Sequence, residues 1–384
     1  MGNQRQTHLD QLRGLAVLGI FPVNIFLFGW PKTALSDPIA SGFLLSTADV
    51  LAWSLMHLLF EQKFINLLAL MFGVGIGLFA QRQSARGHDP GPLHVRRMLT
   101  LASIGLLHAY LIWWGDILFV YSLAGLLAWT VRTLGPGALI QAGLVIYAVP
   151  SLLLVLWQLG GLAPDLADNL SAPSMEQIFA EIQQYRGGWR EQMSHRAATA
   201  LTLQTSTMIS ATLWHALGLI LAGMGLQRLP QFLSGQWIHS AIIRWYLLGA
   251  LITGALLMTV SLGIRLAGGD LLWAFHSQYW GSLGMSVAYG GGLLLWSHHH
   301  DVSGIGRHLA ATGRLALSVY ILQSLIAALL FYGNGLGFFG QFNALQLLLC
   351  AGLTILLLLW LCPCWERHLG AGPLERLWRR IAYP

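Results

Sequence analysis

Charge is what this chain lacks most. Only 9% of its 384 residues are Asp, Glu, Lys or Arg, against roughly a quarter in soluble domains. A soluble fold of this length would need a charged surface that the sequence cannot supply. Cysteine is scarce as well. Cys350 lies in an apolar run, and Cys362-Pro-Cys364 has neither redox CxxC spacing nor the paired partners of a structural zinc site, so no disulfide framework is expected. No GxSxG nucleophile elbow, HExxH helix or Walker phosphate loop occurs. The net charge of +6 comes without a basic stripe or a base-stacking module, so no nucleic-acid partner is expected.

What is present is apolar and comes in runs. Hydrophobic residues make up 55% of the chain and recur in stretches near the roughly 20 residues that cross about 30 Å of hydrocarbon. A β-barrel would instead alternate apolar and polar positions. The expected fold is therefore all-α, a polytopic transmembrane helical bundle of about ten spans. The candidates are 12–30, 64–81, 97–114, 116–133, 137–159, 201–226, 241–262, 273–296, 311–332 and 345–362. Met1 to Gln11 is polar and the run after it long, so the first span is read as retained and not as a cleaved signal peptide. The stretch 48–63, with His57, Glu61 and Lys63, fits either an interfacial helix or the start of a long tilted second span.

Arginine sets the orientation. Arg82, Arg86, Arg96 and Arg97 cluster after the second span, Arg132, Arg228 and Arg307 recur at alternate loops, and Arg367, Arg376, Arg379 and Arg380 fill the tail. Ten spans place all of these on one side, which predicts cytoplasmic N and C termini in a bacterial inner (plasma) membrane. The 160–200 segment, with Asp165, Asp168, Glu176, Glu181 and Glu191, then forms an extracytoplasmic cap of one or two short helices. Five spans fall on either side of it, but no internal repeat is apparent, so 1–384 reads as one transmembrane domain. Membrane lipids are its expected surroundings, and such a bundle is compatible with oligomerisation.

The informative residues are the polar groups inside the apolar runs. Arg13 and Asn24, eleven residues apart, share a helix face while standing about 16 Å apart along the axis, and Pro22 should kink the helix between them. Arg13 either snorkels to lipid phosphate or binds an anionic substrate; Asn24 either glues helices or contacts substrate. His108 precedes Trp113-Trp114-Gly115-Asp116. Asp116 either caps the following helix or orients an imidazole for general-base work. His215, mid-span, is either a hydrogen-bonded structural histidine or a proton-transfer group. In the ninth span Arg314 lies near the cytoplasmic face and Gln323 about 13 Å deeper, with Tyr320 and Ser324 beside it. His298-His299-His300-Asp301 and His308 do not share a helix face, and no metal site is expected there. Gly73, Gly75 and Gly77 sit in an apolar span and suit close helix packing better than a nucleotide loop.

The order of motifs resembles the bacterial membrane family catalogued as domain of unknown function 418. The resemblance rests on Leu9-Asp10-Gln11-Leu12-Arg13-Gly14-Leu15-Ala16 with Asn24-Ile25, on Lys63-Phe64 before Leu70-Met71-Phe72-Gly73-Val74-Gly75, and on His108 before Trp114-Gly115-Asp116-Ile117-Leu118. It continues through Thr312-Gly313-Arg314-Leu315-Ala316-Leu317-Ser318 with Tyr320 and Gln323-Ser324, and ends at Gly372-Pro373-Leu374-Glu375-Arg376-Leu377-Trp378-Arg379.

This family is in turn distantly similar to transmembrane acyltransferases that modify sugars or surface polymers. Many of those carry an Arg followed eleven positions later by a His in the first helix. Here Arg13 matches, but Asn24 stands at the histidine position, and an amide cannot accept a proton near neutral pH. The likeness implies acyl transfer from a cytoplasmic thioester, such as acyl-coenzyme A, to an extracytoplasmic hydroxyl or amine on a small molecule, glycan or lipid, with no tightly bound cofactor. In that scheme Arg13 and Arg314 hold the donor head group, and Asn24, Tyr320 and Gln323 position substrate. His108 or His215 is the base, supported by Asp116, with His57 as a further source of the imidazole. The alternative reading is a transporter or exporter of a small metabolite or lipid.

Overall fold

The computed structural model describes residues 2–32, 39, 41–160, 174–229, 240–299 and 304–383. His300, Asp301, Asp165 and Asp168 lie outside the described residues. All regular structure among the described residues is helical. In chain order the helices are α1 (Gly2–Gly19), α2 (Phe21–Gly29), α3 (Thr47–Leu59), α4 (Lys63–Ala85), α5 (Pro90–Leu111), α6 (Leu118–Thr130) and α7 (Pro136–Leu159). Then come α8 (Met175–Arg186), α9 (Trp189–Thr202), a π-helical segment (Leu203–Thr212), α10 (Leu213–Arg228), α11 (Ala241–Leu266) and α12 (Leu271–His299). The chain finishes with α13 (Ile305–Arg314), α14 (Ala316–Phe331), α15 (Ala344–Leu369) and α16 (Pro373–Ala382).

Six helical runs are long and apolar enough to cross a membrane, and a seventh joins them if the bent pair α13 and α14 counts as one span. Their outward faces carry exposed Leu, Ile and Trp, such as Ile252 and Leu256 on α11 and Leu353, Leu356 and Trp360 on α15. Such apolar surface suits lipid and not water. The protein is thus a multi-pass helical bundle.

The helices differ from the ten even spans expected from sequence in instructive ways. The first is broken at Ile20, two residues before Pro22, into α1 and α2. Residues 48–63 form α3 and the link to α4, so that Thr47–Ala85 is one apolar run of 39 residues. The run is interrupted at Gln62, whose φ of 65° separates α3 from α4. α6 has only 13 residues, about 20 Å of helix. The described part of 160–200 holds α8 and most of α9, and α9 continues through the π-helical segment into α10 as a 40-residue helical run. The ninth span is bent by 89° between α13 and α14.

Two contacts organise the arginine-rich end of the bundle. α1 crosses α13 at backbone contact: a Cβ on Gly313 would lie 1.8 Å from the Asp10 carbonyl oxygen, and one on Gly14 would lie 2.0 Å from that of Leu309. Only glycine at both positions allows this approach. It brings Asp10, Arg13 and Arg314 together. The second contact is made by α16, whose Glu375 accepts hydrogen bonds from the Ser318 backbone N–H (3.0 Å) and hydroxyl. The carboxylate caps the first turn of α14 and pins α16 beneath it.

Candidate active site

Arginine lines a cavity of about 400 Å³ at one end of the bundle. Arg13, Arg82, Arg86, Arg97 and Arg379 all face it, with Asp10 as the sole carboxylate on its wall among the described residues. A second cavity of about 300 Å³ adjoins it, sharing Arg13, Gly75, Arg97 and Trp378. Its lining is largely apolar, with Val17, Met71, Phe72, Met98 and Leu101, and it extends to Tyr121 and Tyr320. A polar, basic mouth therefore leads into an oily chamber.

The hinge between the two is Arg97. Its guanidinium lies 3.9 Å from the Phe79 ring centre and 4.8 Å from that of Trp378. The Trp378 indole N–H donates to the Arg97 carbonyl at 3.2 Å. Among the described residues no carboxylate pairs with Arg97, and its buried Nε has no hydrogen-bond partner. Arg13 and Arg314 are less free. Asp10 takes Arg13 at 3.1 Å and Arg314 at 3.7 Å, and Glu366 binds Arg314 through both carboxylate oxygens. The two arginines expected to hold an anion do converge, but already partly neutralised; among the described residues Arg97, Arg82, Arg86 and Arg379 have no carboxylate partner.

Beyond Tyr320 lies a buried dyad. His108 Nδ1 and Asp116 Oδ2 are 2.8 Å apart, both side chains 1% exposed. Asp116 Oδ1 accepts the Phe119 backbone N–H at 2.8 Å. Each oxygen does one of the two jobs that sequence left open: one caps α6, the other holds the imidazole. Gly105, one turn before His108, makes room, since a Cβ there would lie 2.7 Å from Asp116 Oδ1. With Nδ1–H donated to the carboxylate, the lone pair falls on Nε2, which is buried and without a partner. The Tyr320 ring stands edge-on to His108 at 5.1 Å, and its hydroxyl bridges the Gly115 carbonyl and the Ile117 N–H at 3.4 Å each. Tyr320 thus separates the chamber from the dyad.

Gln323, one turn along α14, donates to the Val17 carbonyl at 3.1 Å and helps seat α14 on α1. Asn24 is half-buried on α2 and lines neither cavity. His215 belongs to a different cluster. Its Nε2 meets Asn66 Oδ1 at 2.7 Å, between the rings of Tyr147 and Tyr279, and none of these groups touches the dyad. His57 pairs with Glu61 at 2.6 Å at the α3–α4 link, with Lys63 donating to its carbonyl. Among the described residues no three His, Cys, Asp or Glu converge as metal ligands do.

Sequence reasoning passed over Arg97, Phe79, Trp378 and Arg379 as site residues. One signal was available: Arg97 precedes His108 by eleven residues. The eleven-residue spacing of Arg13 and Asn24 recurs in α5, where it puts Arg97 and His108 on one face about 16 Å apart.

Residues 226–384 match the family described as Protein of unknown function (DUF418). The chain is 30% identical to the uncharacterized protein YeiB of Escherichia coli (strain K12), over 98% of its own length and 96% of that protein. It belongs to the DUF418 family. YxaH of Bacillus subtilis (strain 168), also uncharacterized, is 26% identical over 99% of this chain and 95% of its own. An uncharacterized 39.9 kDa protein from the amylase 3' region of Bacillus acidopullulyticus is 25% identical over 99% and 94%. No solved structure matches. Within the matched residues 226–384 lie Gly313 of the crossing, the Glu375 cap and the Trp378 shelf; the dyad and Gly14 lie before them.

Proposed function

We propose that this DUF418 protein is a transmembrane acyltransferase that takes an acyl group from a cytoplasmic thioester of the acyl-coenzyme A kind and delivers it to a hydroxyl or amine from the other side. The observation that carries the reading is the continuity of three environments. A basic mouth suits a phosphate-bearing head group, an apolar chamber suits an acyl chain and its flexible arm, and a buried His–Asp dyad stands behind the chamber's last tyrosine. Positive residues concentrate on the cytoplasmic side of membrane proteins, so the arginine-rich end faces the cytoplasm. In this reading α1–α2, α3–α4 and α9–α10 each cross once and α13–α14 crosses as a broken span, which with α5, α6, α7, α11, α12 and α15 makes ten crossings and cytoplasmic termini.

In this reading Arg97, backed by Arg13, Arg82, Arg86 and Arg379, holds the donor phosphates. Arg314 fixes the α1–α13 crossing through Asp10 and Glu366. His108 Nε2 takes the proton of the acceptor as its oxygen or nitrogen attacks the thioester carbonyl. The new ester or amide bond forms as the carbon–sulfur bond breaks, and the thiolate leaves with the proton that the imidazolium returns. Asp116 keeps Nδ1 protonated and stabilises the imidazolium. Because α6 is short, the turn at 112–117 lies inside the bundle, where irregular backbone is tolerated only when protein surrounds it. The reaction is thereby sheltered from bulk water.

The test is equilibrium binding of coenzyme A to the protein in lipid nanodiscs. Arg97→Gln should weaken it by about tenfold or more, the loss expected for a charge-assisted contact in a sheltered site. Unchanged affinity in a variant with parental melting temperature refutes the donor site.

A further inference from the structure

Away from the chamber, the dyad is bordered by a cluster of aromatic rings. Phe28 stacks on Trp113 at 4.4 Å and lies 5.7 Å from Tyr332, which stacks on Tyr185 at 4.9 Å. Trp113 is also 6.2 Å from the His108 ring. Arg196 of α9 reaches into this cluster, its guanidinium 5.7 Å from the Tyr332 ring. It is 1% exposed. Its Nη1 donates to the Leu111 carbonyl at 2.7 Å, three residues beyond His108, and its Nη2 to Gln192 at 2.8 Å.

Four buried groups here have no hydrogen-bond partner: the Nε of Arg196, the indole nitrogen of Trp113 and the hydroxyls of Tyr185 and Tyr332. Among the described residues no carboxylate pairs with Arg196. Glu181 instead takes the Lys32 backbone N–H at 3.1 Å and faces His195 at 3.7 Å. An arginine that only capped the end of α5 would account for one N–H bond. It would not account for a buried, unmatched charge beside three more orphaned groups. Unpaired buried polar groups cost about 1–3 kcal/mol each and are rare in native proteins without a function. Guanidinium and indole N–H can only donate, so what complements this cluster is rich in acceptors and negative.

We propose that Arg196, Trp113 and Tyr332 form a binding site for an oxyanion, a carboxylate or phosphate ester, carried by the acyl acceptor. The anion seats on Arg196, the apolar part of the acceptor lies against the aromatic rings, and its free hydroxyl or amine is left beside His108. The assignment of this ligand as the acceptor rests on the acyl-transfer reading; the anion site itself does not. Donor and acceptor then approach the dyad from opposite sides, past Tyr320 and past Trp113.

The experiment measures ligand binding and thermal stability in nanodiscs, in an Arg97→Gln background that removes the donor-side anion site. The probes are glycerol 3-phosphate and glucuronate, with neutral glycerol and glucose as controls. At least one anionic probe should bind and raise the melting temperature while the neutral ones do not. Tyr332→Phe should weaken that probe about tenfold or more and leave the ligand-free melting temperature unchanged or higher, because the hydroxyl it removes has no partner to lose. Arg196→Lys, which keeps the charge but loses the planar donors, should weaken binding too. The site is overturned if neither anion outperforms its neutral control, if Tyr332→Phe leaves affinity intact, or if Tyr332→Phe lowers ligand-free stability. Because no acyl transfer is read, such a failure leaves the donor site and the dyad standing.

Discussion

Two histidines of this chain look alike in the sequence, each set in an apolar run, and differ by their neighbours. His215 ends on an amide, Asn66; His108 ends on a carboxylate, Asp116, that also caps a helix. Only the second can stabilise a positive imidazole. Asp116→Asn keeps a capping oxygen but loses the charge, so turnover should fall about 10²–10⁴-fold with little change in melting temperature. His215→Ala should do the reverse, costing about 1–3 kcal/mol of stability while donor binding and per-molecule turnover survive. Thermal unfolding and turnover on the same preparations separate the two, and a turnover loss confined to His215→Ala inverts the assignment. Sequence could place His108 near Asp116 but could not choose between cap and base partner, because the turn at 112–117 and the clearance at Gly105 decide both. Arg97 was hidden because it reads as loop charge, when it lies on the same helix face as His108.

At the scale of the element, the long apolar helices were legible and helix continuity was not. Runs of apolar residues announce α7, α11 and α15 because lipid demands them. The break between α13 and α14 falls within an unbroken apolar-to-polar pattern, Ala311-Thr312-Gly313-Arg314-Leu315-Ala316, that reads as one span. What turns the chain there is tertiary: α13 lies against α1 at the glycine crossing, and Glu375 from α16 supplies the cap that lets α14 start afresh. Gly313→Ala must therefore push α13 off α1. It is expected to cost about 1–3 kcal/mol and to weaken coenzyme A binding, because Arg13 and Arg314 lose their shared Asp10. A parental melting temperature in Gly313→Ala contradicts the crossing. The shortness of α6 was equally hidden, since Ile117 and Val131 at its two ends are as apolar as the residues inside it.

At the scale of the whole molecule, composition alone announced a multi-pass membrane protein, and the arrangement of arginines announced a polar asymmetry. Which arginines meet was not legible, because the basic mouth is assembled from α1, α4, α5 and α16. The orientation predicts that single cysteines in the 87–89 loop label only after the membrane is permeabilised, whereas cysteines in α8 label in intact cells. The opposite pattern inverts the topology.

Entry of an acyl group from the arginine-rich side and its transfer at His108 can be read in one assay. Inverted membrane vesicles from cells making the wild-type or His108→Ala protein are supplied externally with coenzyme A bearing a labelled acetyl group. Wild-type vesicles should release free thiol and retain the label covalently on lumenal or membrane material. In His108→Ala vesicles with parental coenzyme A affinity and melting temperature, both signals should fall about 10²–10⁴-fold. Equal label transfer by the variant, or passage of an unchanged labelled compound into the lumen without thiol release, contradicts acyl transfer at this histidine.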